Sequence, residues 1–403
     1  MATRGGRDDG PRVGIVGGSL GGLITALHLR EAGCDVQVFE RSPVPLEGRG
    51  AGIVLHPVTV RSFREHGLLD LGEVSSSARI LRYLTAEGSV LLEEPIVYRF
   101  TSYATLYAAL VGFLDPTRYH LGKELVGYDD EAAANLQLRF ADGGIHEVEL
   151  LVGADGIRST VRGLLFPEVR AVYAGYVGWR GTLPSDRLPR SAESLRGVLT
   201  YHVGDRTHAL SYEIPDREER ADGRSINWVW YRNVSAGEPL EALLNDRRGV
   251  RHDLSLPPGA VAEAHLEELR GAASELPPAF RDLVRATPEP FVQVIVDVEV
   301  PAMATGRVCI VGDAAFALRP HIAAGTAKAT ADARALGEAL AAASGDVRAA
   351  FQRWEPAQLA LGRATTARTR EVGERAQVMG TFEPGDPRVA FGLRRPKDHD
   401  FAS

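Results

Sequence analysis

The feature that most constrains the fold of this chain is a cluster of glycines at residues 17–22, between an apolar run and a helical run. The apolar run covers residues 13–16, and a second one at 36–39 ends in Glu40. Strand, tight turn, helix and strand in this order form a unit that binds dinucleotides, because glycines let the backbone approach a pyrophosphate and the helix N-terminus offers free amides. An acid about twenty residues after the turn can accept hydrogen bonds from a ribose. The sequence therefore predicts a nucleotide-binding turn.

The turn departs from the usual glycine pattern at one position. Ser19 stands at the second motif glycine, while Gly18 and Gly21 fill variable positions. Serine is small and can donate a hydrogen bond to phosphate, so this departure is compatible with binding. The alternative is a glycine-rich loop without a ligand, but the spacing of strand, helix and acid favours the nucleotide site. The candidate binding residues of the turn are Gly17, Gly18, Ser19, Leu20 and Gly22.

Composition argues against several classes of protein. The chain has 403 residues, 44% hydrophobic and 25% charged, which is typical of a globular protein with room for two connected domains. Its net charge of −7 gives no electrostatic support for nucleic-acid binding, and no apolar run approaches the roughly 20 residues of a membrane span. Residues 1–11 are polar and glycine-rich, so we expect a disordered N-terminus, no signal peptide and a cytoplasmic location.

The two cysteines give no sign of a disulfide or a metal site. Cys34 and Cys309 lie within or beside apolar runs and lack metal-ligand spacing. We therefore expect buried thiols. The sequence also carries no metal-ligand cluster elsewhere, so no metal is expected.

Two further motifs lie far from the glycine turn. Residues 153–162 begin Gly-Ala-Asp-Gly after a buried apolar run, and residues 312–315, Gly-Asp-Ala-Ala, follow another. A glycine turn, a DG motif and a GD motif in this order resemble the single-component FAD-dependent aromatic hydroxylases with the p-hydroxybenzoate hydroxylase fold. The resemblance implies that Asp313 contacts the ribitol or pyrophosphate of FAD and that Asp155 and Gly156 serve FAD and the nicotinamide. From the residues alone, either aspartate could instead cap a helix or turn.

Other residues place the resemblance more narrowly, in the 2,6-dihydroxypyridine 3-monooxygenase branch. They are Gly17-Gly18-Ser19, Thr101-Ser102-Tyr103, Asn227 through Asn233, Arg319-Pro320-His321, Ala323-Ala324-Gly325 and Phe382-Glu383-Pro384-Gly385. Two departures from the wider family support this placement. Phe316 stands where many members have histidine, and residues 327–329, Ala-Lys-Ala, replace a glycine- and asparagine-rich helix start. Both lie near the expected flavin, where they could change substrate orientation or flavin motion.

The resemblance implies an α/β fold in which a mixed β-sheet substrate domain interrupts an FAD-binding Rossmann-like domain, with helices at the C-terminus. The predicted FAD-binding domain comprises residues 12–78, 101–170 and 301–345, the substrate domain 79–100 and 171–300, and the C-terminal helices and tail 346–403. The implied FAD site adds to the glycine turn the residues Glu40, Arg41, Gly52, Ile53, Tyr103, Leu125, Val126, Asp155, Gly156, Gly312, Asp313, Pro320, Ala323, Ala324, Gly325 and Thr326.

The resemblance also implies a monooxygenase reaction. NADH or NADPH reduces FAD, the flavin binds O2 as a C4a-hydroperoxide, and one oxygen atom passes to an electron-rich ring such as that of a dihydroxypyridine. Deprotonation makes a hydroxylated ring more reactive, so a histidine or tyrosine is expected to take or share its proton. The candidates are His321, in the segment expected beside the flavin, and His208 and Tyr212, which lie four apart on one face of a strand. His321 could equally be structural.

Two other functions stay open on the sequence alone. One is a related flavin monooxygenase that modifies a larger natural product, because the residues of the substrate pocket cannot be identified. The other, of a different class, is a flavin-binding, redox-responsive interaction module. Substrate-stimulated NAD(P)H consumption with a hydroxylated product separates an enzyme from such a module. The family further implies a homodimer.

Overall fold

The computed structural model describes residues 10–46, 52–67, 74–130, 135–215, 223–387 and 389–392. The segment predicted to be disordered, residues 1–11, lies outside the described residues except for its last two. The α-helices of the described ranges are α1 (Leu20–Glu31), α2 (Pro57–Glu65), α3 (Tyr103–Val111), α4 (Thr160–Leu165), α5 (Glu238–Leu243), α6 (Glu263–Ala272), α7 (Pro278–Ala286), α8 (Gly325–Ala342) and α9 (Val347–Gly373). The strands are β1 (Arg12–Val16), β2 (Asp35–Glu40), β3 (Gly52–Leu55), β4 (Ser76–Leu84), β5 (Val90–Ser102), β6 (Tyr119–Leu121), β7 (Leu125–Asp129), β8 (Leu136–Phe140), β9 (Ile145–Val148), β10 (Leu150–Gly153), β11 (Val172–Pro184), β12 (Leu199–Gly204), β13 (Thr207–Pro215), β14 (Arg224–Asn233), β15 (Ser255–Leu256), β16 (Phe291–Asp297), β17 (Ala304–Thr305) and β18 (Val308–Ile310).

A six-stranded sheet in the order β17-β18-β10-β1-β2-β6 contains the predicted nucleotide-binding unit. β1 lies inside this sheet and pairs in parallel with both β2 and β10. Its residues Val13 and Ile15 are fully buried, as expected for a strand of a parallel sheet with both faces covered. The chain leaves β1 through the glycine turn, forms α1 and returns along β2, which confirms the predicted order of strand, turn, helix and strand.

A nine-stranded sheet in the order β15-β16-β11-β14-β13-β12-β4-β5-β3 forms the second layer. β4 pairs in parallel with β12, whereas β4 and β5 form an antiparallel hairpin, so the sheet is mixed as predicted. β3, from the predicted FAD-binding segment, pairs with β5 and thereby connects the two predicted domains. The hairpin extends beyond the predicted boundaries at residues 79 and 100, and the division into domains stays a prediction.

The aromatic run in β14 shows which side of this sheet is core. Trp228 and Trp230 are almost fully buried in a cluster with residues of α6 and α7, including Leu266 and Phe280. Because side chains alternate along a strand, Val229 and Tyr231 point to the opposite face. That second face is the one available to a ligand.

The meander, α8 and the first part of α9 pack in the core of the six-stranded sheet, whereas the turn after α9 contacts β13 and β14. β7, β8 and β9 form the predicted antiparallel meander. The alanine-rich α8 packs closely on α1, because Gly337 lies so near the His28 carbonyl that a Cβ would come within 2.9 Å of its oxygen. α9 continues into a π-helical turn, Glu374–Met379. Within the described ranges, no helix combines the length and apolar character needed to cross a bilayer.

Candidate active site

The glycine turn forms a cradle that side chains would obstruct. Gly17 has a φ of +109°, which side chains disfavour, and a Cβ there would overlap the Ala154 carbonyl. A Cβ at Gly22 would overlap the Gly17 carbonyl. Ser19 occupies the N-cap of α1, but its side chain does not cap the helix. The amides and partial positive charge at this helix end therefore suit an anionic ligand.

Glu40, the predicted ribose-binding acid, also stabilises the turn. Its side chain is 5% exposed, and Oε2 accepts a hydrogen bond from the Gly18 amide at 2.8 Å. Oε1 accepts another from the Ser42 amide at 2.8 Å. The Tyr119 hydroxyl donates to the Gly18 carbonyl at 2.8 Å, which holds the turn from the other side. Each carboxylate oxygen keeps acceptor capacity for a ligand hydroxyl.

The DG motif caps a helix and connects two of the motifs. Asp155 Oδ2 accepts hydrogen bonds from the amides of Thr160 and Val161 at 2.7 and 3.2 Å, at the start of α4. Asp155 therefore makes capping contacts at this helix start, where Ser159 is the N-cap residue, and its contact with FAD stays a prediction. Arg162, on α4, is buried and donates to the carbonyl of Ala314 at 3.0 Å, so the DG motif holds the GD motif in place.

The GD motif lies on a buried ion pair. Lys328 Nζ lies 2.6 and 2.7 Å from the two carboxylate oxygens of Asp332, and both side chains are almost completely inaccessible to solvent. Asp332 Oδ2 also accepts a hydrogen bond from the Gly312 amide at 2.9 Å. The Lys328 ammonium lies 5.1 Å from the centroid of the Phe316 ring, a cation–π contact. The two departures from the family pattern thus contact each other beneath this motif.

Asp313 differs from Asp155 because its carboxylate faces an open space. The side chain is exposed and borders a cavity, and no described residue donates a hydrogen bond to it. Loss of hydration of the carboxylate inside the cavity raises the pKa of Asp313 to about 6, and the positive charge of Lys328 opposes this rise. A ligand that donates hydrogen bonds to this carboxylate would stabilise its charged form.

Two cavities meet beside the glycine turn. The larger has a volume of about 440 Å³ and the smaller about 260 Å³. Both are bordered by Ser19, Tyr103, Ala154 and Gly156, so together they form one elongated groove. Ser19 Oγ and the Tyr103 hydroxyl lie 2.7 Å apart at this junction. An elongated groove beside an uncapped helix N-terminus fits a long dinucleotide ligand.

Most of the predicted cofactor-binding residues border this groove. Those at the larger cavity are Ser19, Leu20, Gly52, Ile53, Tyr103, Gly156, Gly312, Asp313, Pro320, Ala323, Gly325 and Thr326. Those at the smaller cavity are Gly17, Ser19, Glu40, Arg41, Tyr103, Leu125, Asp155 and Gly156. Four predicted residues, Gly18, Gly22, Val126 and Ala324, border neither cavity. Gly18 and Gly22 shape the turn instead, and the Val126 side chain is 55% exposed.

One face of the nine-stranded sheet forms a wall of the larger cavity, which we call the sheet wall. Strand pairing aligns one row of its residues, Arg180, Val229, Leu210 and Tyr201. All of them border the cavity, as do Tyr212 and Tyr231 two positions along on the same face. Burial raises the pKa of both tyrosines, to about 12 for Tyr231, so both phenols are neutral hydrogen-bond donors at neutral pH.

The two predicted histidines lie beside the cavity rather than at its border, in contact with Tyr231 of the sheet wall. His321 is 3% exposed, and its Nε2 lies 2.6 Å from the Tyr176 hydroxyl. His208 is fully buried, with ring centroids 4.4 Å from Tyr231 and 5.1 Å from His321. Neither histidine borders the two cavities of the described residues, whereas Tyr212 does. Burial lowers both pKa values, that of His321 to about 3, so both rings are neutral at neutral pH.

Sequence reasoning missed several polar residues of the larger cavity, among them Arg180, Gln293 and His56. Arg180 and Gln293 lie on β11 and β16 of the sheet wall, and His56 follows β3. Each is a single polar residue in or beside an apolar strand. Alternation along β11 could have separated Arg180 from its neighbours, but it could not show that its face borders a cavity.

Comparison with known proteins covers the whole architecture. The FAD binding domain family matches residues 11–90, and the FAD binding domain-like family matches residues 173–297. The 2,6-dihydroxypyridine 3-monooxygenase of Paenarthrobacter nicotinovorans is 40% identical over 384 residues, which are 95% of this chain and 96% of that protein. The 6-hydroxynicotinate 3-monooxygenase of Pseudomonas fluorescens is 28% identical over 345 residues, 82% of each chain.

The solved structures agree with these sequence matches. The structure of 2,6-dihydroxypyridine-3-hydroxylase from Arthrobacter nicotinovorans matches this chain with a TM-score of 0.89 at 40% identity. The match covers 96% of this chain and 97% of that one. It confirms the predicted α/β fold, with its mixed sheet and C-terminal helices.

Proposed function

The chain belongs to the FAD-dependent aromatic monooxygenases, and on this premise we propose that it hydroxylates a small hydroxylated ring, preferably a dihydroxypyridine. Membership confirms the predicted enzyme class, the FAD cofactor, and the use of NADH or NADPH with O2. The substrate proposal depends on one observation above all. A single cavity is bordered on one side by the predicted flavin-binding residues and on the other by the polar sheet wall.

Four features of the groove support the way in which FAD would be held. The glycine cradle and the uncapped end of α1 would hold the pyrophosphate, since both offer backbone amides. Glu40 would accept hydrogen bonds from the ribose, and Asp313, which lacks a partner among the described residues, from the ribitol. When bound, FAD supplies the oxygen chemistry that amino-acid side chains cannot perform.

Arg180 is the residue of this chain that would activate the ring. It lies on the sheet wall, its guanidinium opposes the rise in the pKa of the Tyr231 phenol, and its Nε has no partner among the described residues. A guanidinium facing a ring oxygen stabilises negative charge there, which favours the deprotonated and more nucleophilic ring. Tyr212, neutral because its pKa is raised, would donate a hydrogen bond to a ring oxygen rather than remove a proton.

We assign positioning roles to the two predicted histidines. The His208 ring stacks on Tyr231, which borders the cavity, and His321 contacts both Tyr231 and Tyr176. Neutral rings in these places would set the orientation of Tyr231 without meeting the substrate. Their replacement should change substrate affinity while leaving the pH dependence of kcat unchanged.

The size of the cavity favours a substrate of one ring over a larger natural product. Its volume of about 440 Å³ must hold part of the flavin as well as the substrate. Apolar side chains complete its border and would exclude water from the reacting ring. They are Leu199, Leu210, Val229 and Leu318.

The proposal is tested with a panel of hydroxypyridines, phenols and larger natural products. The FAD-loaded protein receives NADH or NADPH, O2 and one compound at a time, and mass spectrometry records any product one oxygen atom heavier. We expect such a product from at least one dihydroxypyridine, with NAD(P)H consumption stimulated by that ring. Product from multi-ring compounds alone would favour the natural-product alternative. If the flavin is reduced, but no product forms and no ring stimulates NAD(P)H consumption, the result would favour a redox-responsive module.

Two further properties stay predictions. A cytoplasmic location fits the composition of the chain, and a homodimer is typical of the family. Size-exclusion chromatography with light scattering would measure the mass of the particle directly.

A further inference from the structure

Gln293 has no evident task inside the protein. It lies in β16, where its side chain is half-buried while the four residues that follow are buried. The side chain borders the larger cavity, and no hydrogen bond joins its amide to a described residue. A primary amide in an apolar strand is unfavourable unless water or a ligand completes its hydrogen bonds. The amide therefore marks a place where a polar ligand group could be recognised.

Strand pairing places this amide beside two other polar groups. Gln293 pairs with Gly178 of β11, and Gly178 pairs with Tyr231 of β14. Arg180 lies two residues along β11 from Gly178, on the same face of the sheet. Gly178 has no side chain, and the Tyr231 ring lies over it, since a Cβ at Gly178 would come within 3.3 Å of that ring. Neighbouring strands thus carry an amide, a guanidinium and a phenol along one border of the cavity.

The chemistry of an amide side chain restricts what it can pair with. It presents one acceptor and one donor side by side. A hydroxypyridine in its lactam form presents a ring N–H next to a carbonyl, which is the complementary pair. The carbocyclic analogue presents a C–H in place of the N–H, and it would leave the amide oxygen of Gln293 without a partner.

We propose that Gln293 is the residue that selects an N-heteroaromatic ring over its carbocyclic analogue, by pairing with the N–H and C=O edge of the substrate. This inference rests on the proposed function and adds to it the residue that would recognise the ring nitrogen by a hydrogen bond. Arg180 would lie beside the same edge and interact with its oxygen.

The imide edge of the flavin has the same hydrogen-bonding groups and is the second possible source of this chemistry. Gln293 lies on the sheet wall with Arg180 and Tyr231, whereas the residues predicted to meet the flavin lie on β3 and at the start of α8. We therefore commit to the substrate. Measuring FAD affinity together with ring affinity separates the two sources.

The experiment compares 2,6-dihydroxypyridine with resorcinol, which differ only by a ring nitrogen in place of C–H. Dissociation constants are measured on the FAD-loaded protein from the change in flavin absorbance, and kcat/KM by mass spectrometry. Gln293→Met removes the amide at similar length, and Leu210→Met is the matched control on the same wall. For Gln293→Met we expect the preference for the pyridine over resorcinol to fall about tenfold or more, with FAD affinity unchanged. Leu210→Met should keep the preference.

Each of the other outcomes overturns either the assignment of Gln293 or the proposed function. Equal weakening of both rings, or no preference in the wild type, overturns the assignment of Gln293. A tenfold loss of FAD affinity with the preference retained assigns Gln293 to the flavin and overturns it as well. If the wild type prefers the pyridine and Gln293→Met loses the preference, but no oxygenated product forms, the assignment stands and the proposed function fails.

Discussion

The two sides of the larger cavity differ in the residues that form their surfaces. On the side of the six-stranded sheet, the surface is rich in glycine and alanine, which leave the backbone accessible, as at Gly21 after the glycine turn and Gly312 in the GD turn. On the sheet wall it is side chain, with Arg180, Gln293 and several tyrosines. The shape of a backbone surface depends on close packing and on a few ion pairs and hydrogen bonds beneath it. A side-chain surface, by contrast, can be altered by substituting one residue at a time. We therefore expect substitutions on the first side to affect folding and FAD, and those on the second to affect the substrate.

The largest expected effect lies beneath the backbone side. Lys328→Met leaves the buried Asp332 carboxylate without its counter-charge, so the free energy of unfolding should fall by about 3 kcal/mol. Urea denaturation of the FAD-free protein measures it. The double variant Lys328→Met/Asp332→Asn removes both charges, keeps an acceptor for the Gly312 amide and should recover most of the loss. A single variant as stable as the wild type would contradict the importance of this pair.

The glycine cradle should be nearly as sensitive. In Gly22→Ala the new Cβ overlaps the Gly17 carbonyl, so the turn must shift, at a cost of about 2 kcal/mol in stability, and purified protein should lose FAD. Gly163→Ala in α4 is the matched control, since a Cβ there meets open space. It should keep FAD and be as stable as the wild type or up to about 1 kcal/mol more stable. Normal FAD content in Gly22→Ala would show that the turn adapts.

Asp313 is the main side-chain contribution expected on the backbone side. Asp313→Ala removes a carboxylate that we assign to ribitol hydroxyls, and hydrogen bonds to charged groups contribute about 1.5–3 kcal/mol, so the dissociation constant of FAD should rise about 10- to 100-fold. Fluorescence titration of FAD into the FAD-free protein measures this change. Full FAD occupancy and wild-type affinity would show that the assigned role is wrong.

On the sheet wall the effect should be confined to the substrate. Tyr212→Phe removes one hydroxyl donor at the cavity, so kcat/KM should fall about tenfold while FAD affinity stays unchanged. Tyr173→Phe is the matched control, because the Tyr173 hydroxyl donates to the Val234 carbonyl at 2.8 Å in the same sheet and borders neither cavity. Equal losses in the two variants would point to a general effect on the sheet.

The smallest effect is a pH dependence on the backbone side. Because the pKa of Asp313 is raised from 3.8 to about 6, the folded FAD-free protein binds this proton more tightly than the unfolded chain. The contribution of Asp313 to stability is therefore present below about pH 4 and declines as the pH rises through 6. Asp313→Asn lacks this decline, so its stability relative to the wild type should increase between pH 4 and 7. Parallel curves for the two proteins would exclude such a pKa.

The backbone side was predictable because its signals are local. The spacing of glycines, apolar runs and Glu40 predicted the turn, and Gly312-Asp313 at the end of a buried strand predicted a second turn at the same groove. Sequence could not separate cap from ligand contact for the two aspartates. Their contacts differ: Asp155 accepts hydrogen bonds from the amides of α4 and also borders the smaller cavity, whereas Asp313 has no such partner among the described residues and borders the larger cavity.

The sheet wall was only partly predictable. Alternation placed His208 and Tyr212 on one face of β13, and that face does border the cavity at Tyr212. His208 is covered by the rings of Tyr231, His321 and Phe391, the last from a segment far along the chain. Two of these rings, those of His321 and Phe391, are more than 100 positions from His208, and contacts at such separations leave no periodic signal in the sequence.

By itself, the sequence determined the nucleotide unit, because glycine geometry, apolar runs and helix starts act over a few residues, and its three motifs indicated the family by resemblance. Only the tertiary structure decided which side chains border the cavity, which histidines are covered, and that Gln293 lies beside Arg180 and Tyr231. The physical reason is that hydrogen-bond register between strands decides which residues of a sheet lie side by side. These residues are far apart along the chain, so local sequence patterns do not show that they are neighbours.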